Sequence, residues 1–410
     1  MSRTRHLRTI VIQGLVLALV LSASCSAREE AGGPDEKAVV QACNTTAIQL
    51  YGGLKKDSEN LVISPFSIGT AMSMALSGAR GDTEKEMMKV LNQTVPRERM
   101  DSAHSKILAR LNRFEKGKDV VLSTANALCL TVDSALVHKD YRTLLSTKYN
   151  AEIFDAHNVG PINAWVAKKT HGKIDKILEK LSANSVCVLL NAIYFKGLWA
   201  SQFDKKLTRP GEFFTTEGKT LSVPMMHQTA EFSVATRDGC MAVALPYKVD
   251  SLAMVVILPT ERKGLPGIEK QLSAAFVQAV LDDLGKHHPT KVALSLPRFK
   301  IEFGADLIPA FQSEGMKLAF SAEKADFGGI TGRDTSLGLI WIAQIKHKAF
   351  LEVNEEGSEA AAATAVELQT KSVPRITRFL ADHPFLFLLV DKATNAILFM
   401  GCVNDPLEGA

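Results

Sequence analysis

The order of elements predicted along the chain indicates an α+β fold. Helical periodicities crowd the first half, strand-like runs crowd the second, and no regular βαβ alternation joins them. The 410 residues show no internal repeat and no linker rich in Pro, Gly or Ser, so one large domain is expected. With 46% hydrophobic and 22% charged residues the composition is that of a globular protein. A net charge of +4 is too mild to point to nucleic acid as a partner.

The chain begins with Arg3, Arg5, His6 and Arg8, followed by an apolar run from Ile10 to Leu21 and small residues through Ala27. That is the layout of a secretory leader, cleaved after Ser24 or Ala27, and the run is too short to span a bilayer. Residues 28–410 are then a single secreted, extracellular domain with no membrane anchor. A helical pattern covers Glu36 to Leu54, and the apolar Leu61 to Ser64 leads to Pro65 at the first turn of a helix reaching Ser77. Asp82 is placed to cap a helix from Thr83 to Leu91, and Met100 to Phe114 is amphipathic. Val120 to Leu130 reads as a strand, and Lys139 to Ser146 and Ile162 to His171 read as helices. Ser185 to Phe195 is nearly continuous in apolar residues, as in a strand covered on both faces.

Strand signals then recur at Phe213-Phe214, Leu221 to Met226, Cys240 to Leu245 and Leu252 to Leu258. Two helices follow near Ile268 to Leu284, and strands return at Val292 to Phe303 and Leu337 to Val353. The last two strands, Phe385 to Val390 and Ile397 to Val403, are joined by a turn at Lys392 to Asn395. Of six cysteines, Cys25 falls in the leader; Cys43, Cys129, Cys187, Cys240 and Cys402 lack any CxxC spacing and sit among apolar neighbours. They read as buried, unpaired core thiols. Asn44-Thr45-Thr46 and Asn92-Gln93-Thr94 are candidate glycosylation sequons.

One stretch, Glu355 to Ser372, stands apart. With a period of two, Ser358, Ala360, Ala362, Thr364, Val366 and Leu368 form one face, small at its start and more apolar further on. Glu359 and Glu367 both fall on the other face. Such a segment can become a half-buried strand, yet alanine and glutamate are poor strand formers. An exposed loop that later becomes a strand fits the composition; so does an Ala-rich linker.

Several blocks decide between them. NLVISPFSIGTAMSMALSGARGDT from Asn60, NAIYFKGLW from Asn191, ALPY from Ala244, VALSLPRFKIEF from Val292, ADFGGIT from Ala325, HKAFLEVNEEGSEAAAATA from His347 and ADHPFLFLL from Ala381 resemble the serpins. The ADHPFLF form looks most like arthropod serpins, including the secreted ones of ticks. The resemblance covers nearly all of residues 28–410. It implies three β-sheets, about nine helices and an exposed reactive loop over about residues 355–380. It further implies an inhibitor rather than an enzyme, acting without cofactor or metal.

Carried onto this sequence, the resemblance makes Glu355 and Gly357 the start of a hinge and Ser358, Glu359, Ala360, Ala361, Ala362, Ala363 and Thr364 the segment that enters the central sheet. Residues sliding between two strands must be small, uncharged on the inward side and free of proline, which Ser358, Ala360, Ala362 and Thr364 satisfy. The family's spacing places the scissile bond at Lys371-Ser372, a lysine suited to trypsin-like proteases, with Arg375 and Arg378 as further basic sites. Ser64, Ser67, Asn191 and His347 resemble the polar cluster beneath the central sheet. Trp199 and Phe203 resemble the aromatic pair at loop entry, and Arg298 and Glu355 the ion pair at the loop's base.

Three motifs compete for other functions. Arg80-Gly81-Asp82 matches the integrin tripeptide but falls between two helices; Gly218-Lys219-Thr220 imitates a phosphate loop without the glycine that GxxxxGK[ST] requires. Lys106, Arg110 and Arg113, at helical spacing, are candidates for a heparin-like polyanion or simply a solvated face. The span Tyr149 to Ile162 is roughly ten residues shorter than the resemblance implies, so an edge strand and the first turns of the next helix are expected to be missing. The expected function is a monomeric, secreted inhibitor of a trypsin-like serine protease that forms a covalent complex. The alternative is a non-inhibitory carrier or chaperone of the same fold.

Overall fold

Residues 32–131, 135, 137–181, 187–332, 340–357 and 376–409 are described by a computed structural model. The leader (1–27), Ser358 to Thr364, Lys371, Ser372 and Arg375 lie outside them. Among the described residues ten α-helices form. They are α1 (Pro34–Leu54), α2 (Pro65–Gly78), α3 (Gly81–Val90), α4 (Arg97–Asn112), α5 (Lys139–Tyr149), α6 (Val159–Lys169), α7 (Leu265–Gln271), α8 (Ala274–Lys286), α9 (Ile308–Ser313) and α10 (Gly328–Thr331). Strands in the first half are β1 (Leu61–Ile63), β2 (Val120–Leu130), β3 (Glu152–Asp155) and β4 (Cys187–Gly197). The remainder are β5 (Arg209–Phe214), β6 (Thr220–Arg237), β7 (Cys240–Pro246), β8 (Leu252–Pro259), β9 (Thr290–Pro297), β10 (Phe299–Asp306), β11 (Ile342–Val353), β12 (Thr377–Leu380), β13 (Phe385–Asp391) and β14 (Ala396–Val403).

A five-stranded sheet runs in the order β10-β11-β4-β2-β3. Its centre is unusual: β11 pairs with β4 in parallel, while β10–β11 and β2–β4 are antiparallel. The other nine strands form two sheets that share β6. Residues Thr220–Phe232 of β6 pair with β5 and β9, and Ser233–Arg237 pair with β7, continuing through β8 and β13 to β14 and β1. Three sheets result among the described residues, as the serpin resemblance implies.

Helix α2 shows how sequence sets the layers. Ser64 caps it by accepting from the Ser67 N–H at 3.2 Å, Pro65 starts it, and every residue of it is buried. A helix apolar all round belongs in the interior rather than on a face. On the opposite side of the five-stranded sheet, α6 lays Ile162 and Val166 over Ala127, Cys129, Val188 and Leu190 and over Ala125, Ala192 and Tyr194.

Four expectations change. The run Val292 to Phe303 is two strands in different sheets: Pro297 has no N–H to continue a ladder, and the Arg298 N–H donates to Pro224 O at 2.9 Å instead. The edge strand expected to be missing is present as β3, parallel to β2 from Ala127↔Glu152 to Leu130↔Asp155. Asn158 then caps α6 by accepting from Gly160 N–H at 3.0 Å. Asp82 does not cap α3; Arg80 stands at the N-cap, and Asp82 lies in the first turn, 2.9 Å from Lys85. Strand β12 is an addition: TRFL is too short to show a period, and β9 recruits it in parallel.

Candidate functional site

Two polar assemblies sit along the β11–β4 seam. The first is built by register: Ala305, His347, Asn191 and Asn126 stand in one row across β10, β11, β4 and β2. His347, 1% exposed, accepts from the Ser64 N–H at Nε2 (3.2 Å), so Nδ1 carries the proton and donates to Asn191 Oδ1 at 2.6 Å. Asn191 Nδ2 donates to Asn126 Oδ1 at 2.7 Å and to Ser67 O at 3.3 Å. Burial pushes the His347 imidazole down to about 3, so the network is neutral at physiological pH. Ser64, Asn191 and His347 are thus brought together. Ser67 joins only through its backbone, and its hydroxyl has no partner among the described residues. Asn126 was missed; an asparagine set between two alanines of a strand was the available signal.

The second assembly closes the end of β11. Arg298 holds the Glu355 carboxylate through Nε at 2.7 and 2.8 Å and again through a terminal nitrogen, and Thr208 Oγ1 donates to it at 2.5 Å. Burial alone would raise the Glu355 pKa; Arg298 and Thr208 outweigh it and hold the carboxyl below its ordinary value. Lys205 pairs with Glu356. The backbone is held as firmly: Trp199 N–H donates to Glu356 O (3.0 Å), Phe203 N–H to Glu355 O (2.8 Å) and Trp199 Nε1 to Asn354 O (3.0 Å). Trp199 stacks on Tyr247, the tyrosine of ALPY, at 4.5 Å.

Between these assemblies the seam changes. The parallel ladder runs from Ile342↔Cys187 to Phe350↔Tyr194, and the next recorded pairing is the antiparallel bridge Leu198↔Gly357. The chain reverses there, with Asn354 and Gly357 exchanging backbone hydrogen bonds at 2.8 and 3.2 Å. Gly357 sits at φ +136°, and a Cβ on it would lie 1.9 Å from Gly197 O, so only glycine fits.

Other candidates resolve into packing. Asn44 Nδ2 donates to Asn395 O at 2.8 Å while its Oδ1 accepts from Ile397 N–H at 3.1 Å. Asn92 Nδ2 donates to Thr46 Oγ1 and Gln49 Oε1 at 3.0 and 2.9 Å. Both sequon amides, half-buried, make internal contacts in this fold. On the basic face of α4, Arg110 pairs with Glu36 at 2.6 Å and Arg113 lies over Phe114; Lys106 and Arg113 are exposed. Arg80 turns inward onto Ser77 O and Ala79 O, so the tripeptide serves a helix junction. Gly218 is a hairpin turn at φ +85°. Cys43, Cys129, Cys187, Cys240 and Cys402 are all free and buried.

The comparisons agree with this arrangement. The profile of the family described as "Serpin (serine protease inhibitor)" matches residues 41–406. Human antithrombin-III is 37% identical over 382 residues, covering 88% of this chain and 80% of that protein. Iris, of the tick Ixodes ricinus, is 36% identical over 376 residues, covering 88% and 97%. The native state of tengpin, a thermophilic serpin, superposes with a TM-score of 0.81 at 28% identity, covering 91% of this chain and 95% of the other. Vertebrate and tick relatives are equally similar, so the comparisons single out no lineage. Serpins are inhibitors rather than enzymes, and by profile, identity and fold this chain belongs to the serpin family.

Proposed function

We propose that the protein is a secreted inhibitor that traps a trypsin-like serine protease by suicide cleavage at Lys371-Ser372. The observation that carries the reading is the parallel β11–β4 pair beside a chain reversal at Gly357. A strand turning back at Gly357 runs antiparallel to β11 and therefore antiparallel to β4 as well. Its entry replaces one parallel ladder with two antiparallel ones, which are slightly more stable per residue. A dozen residues extend roughly 40 Å, and at about 1 kcal/mol per new hydrogen bond the gain is on the order of 10 kcal/mol.

In chemical terms, the protease serine attacks the Lys371 carbonyl, the Ser372 amine leaves, and an acyl-enzyme forms. The freed segment from Ser358 to Thr364 then enters the seam and drags the tethered enzyme with it, deforming it before water reaches the ester. The Lys371 ammonium suits a primary pocket carrying a carboxylate, with Arg375 as the competing site. Residues 1–27 support secretion, and the ADHPFLF block supports an arthropod type. The test is incubation with trypsin: a covalent complex that survives boiling in detergent is expected, and clean cleavage without one would count against trapping.

A second reading, a carrier or chaperone, is favoured by the short connection into α6, an 11-residue helix lying over β2 and β4. It predicts loop cleavage without a complex.

A further inference from the structure

We propose that Asp101 is a charge-controlled fastening between the two halves of the five-stranded sheet. Its buried charge keeps the tie it makes with Ser77 and Tyr149 under strain, and neutralising it tightens α4 and α5 on α2. The inference rests on the reading of the β11–β4 seam as a point of strand entry for its effect on entry, but not for the strain itself.

Helix α2 packs against β2 and β4 and is tied at both ends. At its start the Ser64 N–H is bound to His347 of β11 at 3.2 Å. In its last turn Ser77 Oγ lies 2.5 Å from Asp101 Oδ1, which also accepts from Tyr149 OH at 2.5 Å. Asp101 belongs to α4 and Tyr149 ends α5, the helices that lead into β2 and β3. One end of α2 therefore holds the β10–β11 half of the sheet, and the other holds the β4–β2–β3 half. A strand entering between β11 and β4 needs those halves to part by about 4.8 Å, which loads the second tie.

Asp101 is 4% exposed and Tyr149 fully buried, yet among the described residues no cation lies within ion-pair distance of the carboxylate. Arg97, one turn earlier on α4, is paired with Glu84 at 3.1 Å and Glu98 at 3.4 Å, and Arg80 is turned onto Ser77 O and Ala79 O. From α5, Tyr141 OH is spent on Met74 O at 2.9 Å. His104, one turn further along α4, is bound to Ser73 Oγ at 2.9 Å and stays neutral. Burial pushes the Asp101 carboxyl above its ordinary value; Ser77, Tyr149 and Arg97 offset only part of that, and Glu98 adds to it. A carboxyl whose folded value lies above its unfolded one contributes stability in acid and loses it as pH rises, so the charge carried at neutral pH loosens the tie.

The test is Asp101→Asn, which keeps the shape and an acceptor for both hydroxyls and removes the charge. At neutral pH its melting temperature should lie about 2 °C or more above that of the unmodified protein. The gap should close as pH falls toward the ordinary aspartate value of 3.8, where the unmodified carboxyl is neutral too. The acid sensitivity of His104 and His347 is common to both proteins and drops out of the difference. An equal or lower melting temperature at neutral pH, or a gap that ignores pH, overturns the strain. Tyr149→Phe is an independent check: it takes a donor from the charged form and should cost more stability at neutral pH than in acid, and a cost indifferent to pH also overturns the strain. The seam is read without protease, by uptake of a synthetic peptide copying Ser358 to Lys371, seen as full-length chain with a raised melting temperature. Asp101→Asn should slow uptake about threefold; equal uptake overturns the link between the tie and the seam. Failure of both proteins to take up the peptide removes the seam reading instead, while the melting comparison still decides the strain.

Discussion

Halfway along β11, His347, Asn191, Asn126 and Ser64 are joined by neutral hydrogen bonds in a fully buried row; at its end, the buried Glu355 is joined by charge to the partly exposed Arg298. Both assemblies hold the same seam, yet the physics differs. A buried neutral network is costly to break because each orphaned group loses its only partner. The ion pair is open to water and salt on its Arg298 side, 43% exposed, so it is screened there as the buried row is not. The difference suggests an order of events, with the hinge yielding first and the middle of the seam opening only when an entering strand supplies new partners.

The largest effect should come from blocking entry itself. Replacing Ala360 and Ala362 by arginine should abolish the covalent complex and leave a plain substrate, read as cleaved inhibitor on a gel; undiminished trapping would contradict insertion. Next, His347→Ala strands the Ser64 N–H and Asn191 Oδ1 in the interior and should cost about 3 kcal/mol in denaturant unfolding of the intact protein.

Acid should separate the two regions. His347 and the buried His104, whose imidazole burial likewise pushes down to about 3, stay neutral in the fold but take up protons near 6.5 once unfolded. Their contribution is therefore present above pH 6.5 and lost as pH falls, by about 1.4 kcal/mol per unit for each histidine. Glu355 is held below its ordinary 4.5, so its contribution persists until more acid conditions. Between pH 6.5 and 4.5 the middle of the seam and the His104–Ser73 contact should weaken while the hinge pair holds, and His347→Gln should make the fall in melting temperature about half as steep. The smallest effect is Arg298→Ala. It leaves the Glu355 carboxylate, 2% exposed, with Thr208 as a partner and should cost about 2 kcal/mol of stability, with Trp199 fluorescence reporting a loosened hinge.

How much of this was legible in the sequence follows from what each signal depends on. The long apolar strands β2 and β4 and the capped helix α2 announce themselves through periodicity and local chemistry, and their bounds fall within two residues of those expected. Strand β12, the split at Pro297-Arg298 and the Arg80 cap depend on partners far along the chain, which no local pattern encodes. The same division runs through the site. Ser64, Asn191, His347, Arg298 and Glu355 could be named because they stand in recognisable blocks. Asn126, Thr208 and Tyr247 complete the two assemblies only through sheet register and loop packing. The sequon amides and Arg110 of α4 also make contacts visible only in three dimensions.

The central claim is that a severed loop stabilises the body that absorbs it. The direct measurement is the melting temperature of the intact protein against that of the same protein nicked at Lys371 and freed of protease. On the order of 10 kcal/mol of new ladder predicts that the nicked form melts far above the intact one. Equal melting temperatures would mean that no strand entered between β11 and β4.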